Sequence, residues 1–207
     1  MYLDYLNDAA WHAERKIDPF TRVPREVATA TKETVYWQKE GERFAIQARF
    51  AWWTGDVPVM GVSWDDATDF CTRLTRRAGG NLWVFALPAE DEWEKAARGP
   101  DGRFHPWGDE FDTSFCRMQD SRTGEQPTLL PEPIGRFAID EGPFGGRDLA
   151  GGMREWTATF ARKERRIVKG GAWGVSPPLC RGAARSLLGP HDVDTNLGVR
   201  VVARRTR

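Results

Sequence analysis

The chain has 207 residues, a length that suits one large domain. Its 30 Lys and Arg residues balance its 30 Asp and Glu residues, which excludes a net field able to hold a nucleic acid or an anionic membrane. Because no apolar stretch approaches the roughly 18 residues of a membrane span and the N-terminus lacks a signal pattern, we expect a soluble, cytoplasmic chain without membrane insertion.

The first predicted element is a helix from Tyr2 to Arg15, where apolar residues recur at helical spacings, and Asp18-Pro19 ends it. Since the chain starts almost inside this helix, we expect upstream sequence, either a strand of the same domain or another domain. Residues 20–60 carry turn residues and aromatic side chains without sustained periodicity. They are predicted to form loops and short strands, with tryptophans as packing anchors.

Two further helices have the strongest local signals. One runs from Ser63 to Ala78, with Ser63 as its N-cap and an apolar stripe along one side. The other runs from Ala89 to Arg98 and is closed by Gly99. The segment from Trp83 to Leu87 between them is predicted to be a strand.

The C-terminal half has no long periodic run. Residues 101–152 contain a Gly, Pro or Asp every few positions with aromatic residues interleaved, which predicts ordered coil. Short strands are predicted at Glu155–Phe160, Arg165–Lys169 and Leu197–Ala203.

The cysteines form an odd set, Cys71, Cys116 and Cys180, with no spacing typical of a zinc site. Two interpretations stay open. All three are buried thiols, as free cysteines commonly are, or Cys116 and Cys180 form one disulfide.

Several segments, taken in order, resemble the signature motifs of the formylglycine-generating enzyme family, also called the sulfatase-modifying factor family. They are Val62-Ser63-Trp64-Asp65-Asp66-Ala67, Leu87-Pro88-Ala89-Glu90-Asp91-Glu92-Trp93-Glu94-Lys95-Ala96-Ala97-Arg98-Gly99, Pro106-Trp107-Gly108, Phe144-Gly145, Asp148-Leu149-Ala150-Gly151, Glu155-Trp156-Thr157, Lys169-Gly170-Gly171-Ala172-Trp173, Ala184-Arg185 and Gly198-Val199-Arg200. The resemblance implies an α+β, C-type lectin-like fold with two main helices, short twisted antiparallel strands and much ordered coil. It also implies a single domain over residues 1–207 that lacks its first strand or was excised from a longer chain.

Charged and aromatic residues of these motifs are expected to be structural. A charge held near a core needs a partner, so we predict Arg–carboxylate pairs that hold coil segments together. This structural set comprises Glu92, Trp93, Arg98, Asp148, Trp156, Arg185 and Arg200.

Catalytic members of the family use two thiols shortly after the Gly-Gly element to hold copper. The resemblance places Val175 at the first thiol position and Cys180 at the second. Valine cannot ligate a soft metal, and Cys116 could substitute only if the fold brought it alongside. We therefore expect no catalytic residue. The alternative is a copper-dependent formylglycine-generating oxidase acting on a peptidyl cysteine through Cys180.

The family's calcium sites are also altered. Gly152 replaces the usual Asn of one site and leaves only Glu155, while Arg117 stands where the other site draws an Asn. Since calcium requires six to eight oxygen ligands, the sequence predicts at most one weakly bound calcium ion, at Glu155. No other cofactor is expected.

A noncatalytic module that binds an unknown protein or small-molecule ligand is therefore the favoured function. The resemblance offers two settings. In one, the domain is covalently linked to a serine/threonine kinase. That subgroup is similar to this chain from Arg22-Val23-Pro24-Arg25 through Tyr36-Trp37 and at Phe115-Cys116, Asp120-Ser121-Arg122 and Leu179-Cys180-Arg181. In the other, it is the variable protein of a diversity-generating retroelement.

The predicted contact surface is the segment 174–196, together with exposed tryptophans between residues 37 and 53. None of the 26 residues from 174 to 199 is Lys, Glu, Gln, Met or Trp, the five residues that adenine-directed editing of AAC or AAT codons cannot produce. A Gly-, Pro- and Ala-rich loop that avoids long side chains explains the same pattern. The candidate ligand-binding residues are Trp173, Val175, Ser176, Leu179, Arg181, Leu187, Leu188, His191, Asp192, Asp194 and Asn196.

Overall fold

The structure, a computed structural model, describes residues 1–29, 32–121 and 130–206, without the side chains of residues 28, 29, 32 and 163. Arg122, one of the residues similar to the kinase-linked subgroup, lies outside the described residues. Across the described part of the chain, helices and short strands alternate with long ordered coil, which confirms the predicted α+β class.

The N-terminal segment forms two helices, α1 (Tyr2–Leu6) and α2 (Ala9–Arg15). The prediction of one continuous helix was wrong. The Asp8 carboxylate accepts the N–H of Trp11 at 3.1 Å and so caps the start of α2, a local bond that competes with helix continuation. Periodicity alone cannot show such a break, because the apolar residues on both sides keep their spacing.

The two strongest helix predictions are confirmed as α3 (Trp64–Arg77) and α4 (Glu90–Arg98). Ser63 and Asp66 form a complete capping box: the N–H of Asp66 donates to Ser63 Oγ at 3.2 Å, and the N–H of Ser63 donates to Asp66 Oδ2 at 2.9 Å. Gly99 ends α4 with a φ of 63°, which favours glycine.

Replacing Ser63 with alanine should lower the free energy of unfolding by about 1 kcal/mol, because the buried N–H of Asp66 loses its acceptor. Urea denaturation measures the change. Thr72→Ala is the matched control, since its exposed hydroxyl only donates to the Thr68 carbonyl within α3. Equal stability of the two variants would show that the cap is not needed.

Three antiparallel strand pairs surround the helices. They are β1 (Arg25–Thr29) with β2 (Lys32–Val35), β3 (Trp37–Glu40) with β4 (Arg43–Ile46), and β5 (Trp83–Ala86) with β10 (Val202–Arg205). The first two confirm the short strands expected between residues 20 and 60.

The largest sheet of the described residues has the order β8-β7-β6-β9. Its strands are β6 (Arg154–Phe160), β7 (Arg166–Lys169), β8 (Arg185–Leu188) and β9 (Leu197–Gly198). The β6–β9 pairing is parallel, an exception to the antiparallel expectation. The single strand predicted from Leu197 to Ala203 was also wrong: its two ends join different sheets as β9 and β10.

The N-terminal half packs around aromatic side chains. Trp37 and Trp53 are only 4% and 3% exposed, and their ring centroids lie 5.3 Å apart. Trp52 is partly buried and stacks on Trp53. The expected contact surface of exposed tryptophans is therefore corrected, because Trp37 and Trp53 belong to the core.

A second core lies between α3 and the largest sheet. Trp156 is fully buried there, and its Nε1 donates to the Val62 carbonyl at 2.9 Å.

No helix of the described residues is long and apolar enough to cross a membrane.

The structural charges pair only in part as predicted. The buried Glu155 pairs with the partly exposed Arg200 at 2.7 Å. Arg98 pairs with Glu94 on the same helix, and Asp148 accepts the N–H of Gly135 instead of an arginine. Two pairs lie at the surface, Glu92 with Arg204 and Arg185 with Glu90. Of these predicted structural charges, as far as the described residues show, Arg200 is the one that links a coil segment to a buried carboxylate on a distant strand, Glu155 of β6.

Candidate functional site

The loop after β7 carries Val175 and Cys180, the two positions that the resemblance assigned to the family's thiols. Its Gly-Gly turn is tightly packed: the N–H of Gly171 donates to the Ala150 carbonyl at 3.1 Å. Val175 is partly exposed, whereas Cys180 ends a short 3₁₀ helix (Pro177–Cys180) and is completely buried. The only sulfur in this loop is thus hidden from solvent.

Cys116 lies alongside Cys180, although the two are far apart in the sequence. Both residues are fully buried in one cluster with Met118 and Ala150. The hydrogen bond to Cys180 and burial raise the pKa of Cys116 far above its ordinary value. The fold does bring Cys116 next to Cys180, but Cys116 is held as a thiol and both sulfur atoms are out of reach of a substrate.

Glu155 lies at 5% exposure with both carboxylate oxygens occupied. Oε2 accepts Nε1 of Trp93 at 2.6 Å and Nε of Arg200 at 2.7 Å, and Oε1 accepts Nη2 of Arg200 at 2.8 Å. Burial alone would lower the pKa of Arg200, but the charge and hydrogen bonds of Glu155 make the net shift upward. A cation at Glu155 would have to displace this guanidinium.

Arg117 is also buried, with its guanidinium directed at backbone carbonyls. Nε and Nη2 donate to the Leu130 carbonyl at 3.2 and 2.9 Å, and Nη1 donates to the Met118 carbonyl at 3.2 Å. Burial lowers the pKa of Arg117. The Arg117 guanidinium thus binds carbonyl oxygens that could otherwise be ligands of a metal ion.

None of the eleven candidate ligand-binding residues is buried, but the structure divides them into three groups. The first group surrounds Trp173, whose Nε1 donates to the Thr195 carbonyl at 3.0 Å, while the N–H of Gly174 donates to Asn196 Oδ1 at 3.0 Å. Arg154 holds Asp194 in the same region. The group comprises Trp173, Val175, Ser176, Asp194 and Asn196.

The second group is Leu179 and Arg181. The Arg181 guanidinium lies 4.5 Å from the ring centroid of Phe104, a residue that is 47% exposed. The N–H of Gly182 donates to the Phe104 carbonyl at 2.9 Å, which fixes the two segments together.

The third group lies on β8 and the turn after it. Leu187 is 49% exposed on this edge strand, and Leu188 packs against the core cluster around Trp156. In the turn, His191 Nδ1 lies 2.8 Å from Asp65, and Asp192 accepts the N–H of Gly189 at 2.7 Å. The candidate segment therefore presents three separate small surfaces.

Two features of the site were missed in the sequence. Phe104 belongs to the second group, and the proline-tryptophan-glycine motif next to it was the available signal. Asp140 accepts the N–H groups of Leu149, Ala150 and Gly151 and so holds the turn on which Gly171 rests. Burial raises the pKa of Asp140 to about 7, although these hydrogen bonds act in the opposite direction.

A cleft of about 570 Å³ lies away from the segment 174–196. Its walls come from residues 132–137 and 145–148, and its floor includes the Glu155–Arg200 pair. Five separate stretches of chain meet there, at residues 58, 117, 132–137, 145–155 and 199–200, which no local sequence pattern could predict.

Residues 17–205 match the family described as the sulfatase-modifying factor enzyme 1-like domain. The chain belongs to this family. Inactive C-alpha-formylglycine-generating enzyme 2 of Bos taurus is 30% identical over 183 residues, which cover 81% of this chain and 56% of that protein. Formylglycine-generating enzyme of Mus musculus is also 30% identical, over 70% of this chain and 44% of that protein. The chain thus spans about half the length of these relatives.

Solved structures confirm the fold of this sulfatase-modifying factor domain. PvdO from Pseudomonas aeruginosa superposes with a TM-score of 0.69 at 19% identity and covers 95% of this chain and 75% of that one. Treponema denticola variable protein 1 has a TM-score of 0.60 at 20% identity, over 73% of this chain and 72% of that one.

The metals implied by the sulfatase-modifying factor family do not fit the residues present here. For copper, Val175 offers no donor atom, and the neighbouring thiols of Cys116 and Cys180 have no exposed surface. For calcium, the guanidinium groups of Arg117 and Arg200 bind the oxygen atoms that a cation would need. The described residues contain no cluster of three or more His, Cys, Asp or Glu side chains able to hold a metal ion.

We expect calcium to leave the thermal stability of this domain unchanged. A ligand that binds only the folded state at 100 times its Kd adds about 2.7 kcal/mol, which would raise the Tm of a domain this size by roughly 5–10 °C. Differential scanning fluorimetry in millimolar CaCl₂ and in EDTA should instead give the same Tm. A calcium-dependent rise of several degrees would contradict the assignment of Arg117 and Arg200 as the cations of these sites.

Proposed function

We propose that this domain is a noncatalytic binding module that contacts a protein or small-molecule ligand through residues 173–196. The observation that carries the proposal is the contrast within one loop. All eleven candidate side chains reach the surface, whereas Cys180, the single thiol of the segment, is completely buried.

The chemistry of the thiols supports a noncatalytic role. A thiolate, not a thiol, is the nucleophile and the metal ligand. Burial and the contact with Cys180 oppose thiolate formation at Cys116, and Val175 cannot supply the missing sulfur. A substrate cysteine would have no sulfur to exchange with at this surface.

The framework under the loop supports binding. Each of the three groups has its own anchor. Trp173 donates to the Thr195 carbonyl, Arg181 lies over the ring of Phe104, and His191 lies beside Asp65 at the start of α3. Side chains held by a hydrogen-bonded scaffold lose little entropy on binding, which favours affinity. The mixture of apolar, basic, acidic and amide groups suits a ligand with both apolar and polar parts.

The rival function is a copper-dependent oxidase acting on a peptidyl cysteine, and one experiment separates the two. The purified domain is incubated with Cu(I) and a cysteine-containing peptide while copper loading and oxygen consumption are measured. We expect neither stoichiometric loading nor turnover. One-to-one loading together with oxygen consumption would overturn the binding-module proposal.

The location of the contact surface is tested separately with a photo-crosslinking amino acid. It is placed at Arg181 or Leu187, and at Lys95, an exposed residue of α4, as the matched control. The same crosslinked partner should appear from Arg181 or Leu187 and be absent from Lys95. Equal capture from Lys95 would place the contact elsewhere.

Two settings for such a module remain within the proposal, and the gene decides between them. A retroelement-diversified variable protein is supported by the residue composition from 174 to 199 and requires a nearby imperfect repeat that differs only at adenines, with a reverse transcriptase gene. A kinase-associated sensor requires a serine/threonine kinase domain encoded upstream in the same reading frame. The absence of both would remove both settings.

A further inference from the structure

Cys116 and Cys180 are a pair of neighbouring cysteines to which the proposed binding function gives no role. They come from the coil after α4 and from the loop after β7, yet their thiols contact each other inside one small cluster. Cys180 Sγ also packs against Gly171, where an added Cβ would lie only 2.8 Å away.

Backbone hydrogen bonds on both sides of the cysteine pair hold the two segments against each other. The N–H of Gly182 donates to the Phe104 carbonyl at 2.9 Å, and the N–H of Gln119 donates to the Val175 carbonyl at 3.0 Å. His105 Nδ1 lies 3.1 Å from the Cys180 carbonyl oxygen. The segments that carry the two thiols are therefore fixed relative to each other by hydrogen bonds.

Cys71 offers an internal comparison. It is 3% exposed in the separate core cluster between α3 and the sheet, and no other cysteine belongs to that cluster. Burial raises the pKa of Cys71 to about 12. Its environment is as apolar as that of the pair but lacks a second sulfur.

We propose that Cys116 and Cys180 are a modification site that forms an intramolecular disulfide by exchange with a low-molecular-weight disulfide such as oxidised glutathione. One protein thiol loses its proton, attacks the small disulfide and releases one small thiol. The second protein thiol then attacks the mixed disulfide and releases the other. The protein loses two protons and two electrons, which together are two hydrogen atoms, and the small disulfide gains them.

The bond would join the coil of residues 104–119 covalently to the loop of residues 171–182, directly beneath Leu179 and Arg181. It would cross-link positions far apart in the chain, which stabilises the folded state mainly by restricting the unfolded chain. Because both sulfurs are fully buried, exchange requires local opening and proceeds slowly under native conditions.

The test uses the whole domain, reduced and then incubated with oxidised glutathione in urea below the unfolding midpoint. Mass spectrometry should show the loss of two hydrogen atoms without a glutathione adduct, and peptide mapping should join Cys116 to Cys180. The oxidised protein should melt at least about 5 °C higher than the reduced protein.

Variants identify the sulfurs without relying on any one of them to fold. Cys71→Ala should oxidise like the unmodified protein, whereas Cys116→Ser and Cys180→Ser should lose the bond. Stable glutathione adducts, a disulfide that includes Cys71, or three unreacted thiols in a protein still folded by circular dichroism would each overturn the proposal. The mapping of the unmodified protein decides the matter even if a serine variant fails to fold.

Discussion

Replacing Glu155 with glutamine is expected to lower the free energy of unfolding by about 3 kcal/mol. The side chain of Glu155 is 7% exposed, and its carboxylate accepts two hydrogen bonds from Arg200 and one from Trp93. Glutamine keeps the shape but removes the charge and offers its amide group to donors. The Arg200 guanidinium, whose side chain is 30% exposed, then stays beside this buried position without its counter-charge. Urea denaturation at neutral pH measures the change.

Glu92→Gln is the matched control for this variant. Glu92 also pairs with an arginine, Arg204, but both side chains are more than 40% exposed. Such a surface pair contributes about 0–1 kcal/mol, and glutamine can still accept the N–H of Ala89 as part of the helix cap. Equal losses in the two variants would show that burial does not set the strength of the Glu155–Arg200 pair.

Replacing Gly171 with alanine should destabilise the domain by about 3 kcal/mol or prevent folding, because the interior is overpacked. A Cβ at this position would lie 2.3 Å from the Ala150 carbonyl oxygen and 2.8 Å from Cys180 Sγ. The carbonyl belongs to the turn held by Asp140, so it cannot move without breaking the hydrogen bonds described above. Thermal unfolding followed by circular dichroism gives the loss of stability.

Gly55→Ala controls for the backbone effect of removing a glycine. Neither glycine has a positive φ, and a Cβ at Gly55 would have no atom within 4 Å. That variant should keep or slightly raise the stability, since alanine restricts the unfolded chain. A Gly171→Ala protein as stable as Gly55→Ala would show that the Gly-Gly turn has more room than the contacts indicate.

The helices show what local sequence signals can determine. Ser63, Asp66 and Gly99 lie at the ends of α3 and α4 where their side chains or backbone are needed, and both helices were predicted within one residue. The same reasoning missed the break at Asp8, because a residue that can cap a helix can also sit inside one. The strand at Leu197–Ala203 failed for a different reason: its two ends pair with β6 and β5, which lie far from each other in the sequence.

The candidate site was predicted less completely than the fold. The surface character of the eleven residues was expected, but their division into three groups depends on partners from distant segments: Phe104, Arg154 and Asp65. Trp37 and Trp53 were assigned to the surface as an option and lie in the core. An aromatic residue in a loop-rich segment carries no periodic signal that separates packing from exposure.

By itself, the sequence determined the family and the two main helices, and it predicted that Val175 replaces a family thiol. Those features depend on residue identity and on interactions within about four residues along the chain. Only the tertiary structure decided that Cys116 lies against Cys180 and that Arg200 binds the Glu155 carboxylate. It also decided that Arg117, which stands where the resemblance places a calcium-binding Asn of the family, binds backbone carbonyls. The physical reason is that long coil segments have no local periodicity. Their paths are set by many buried contacts between distant residues.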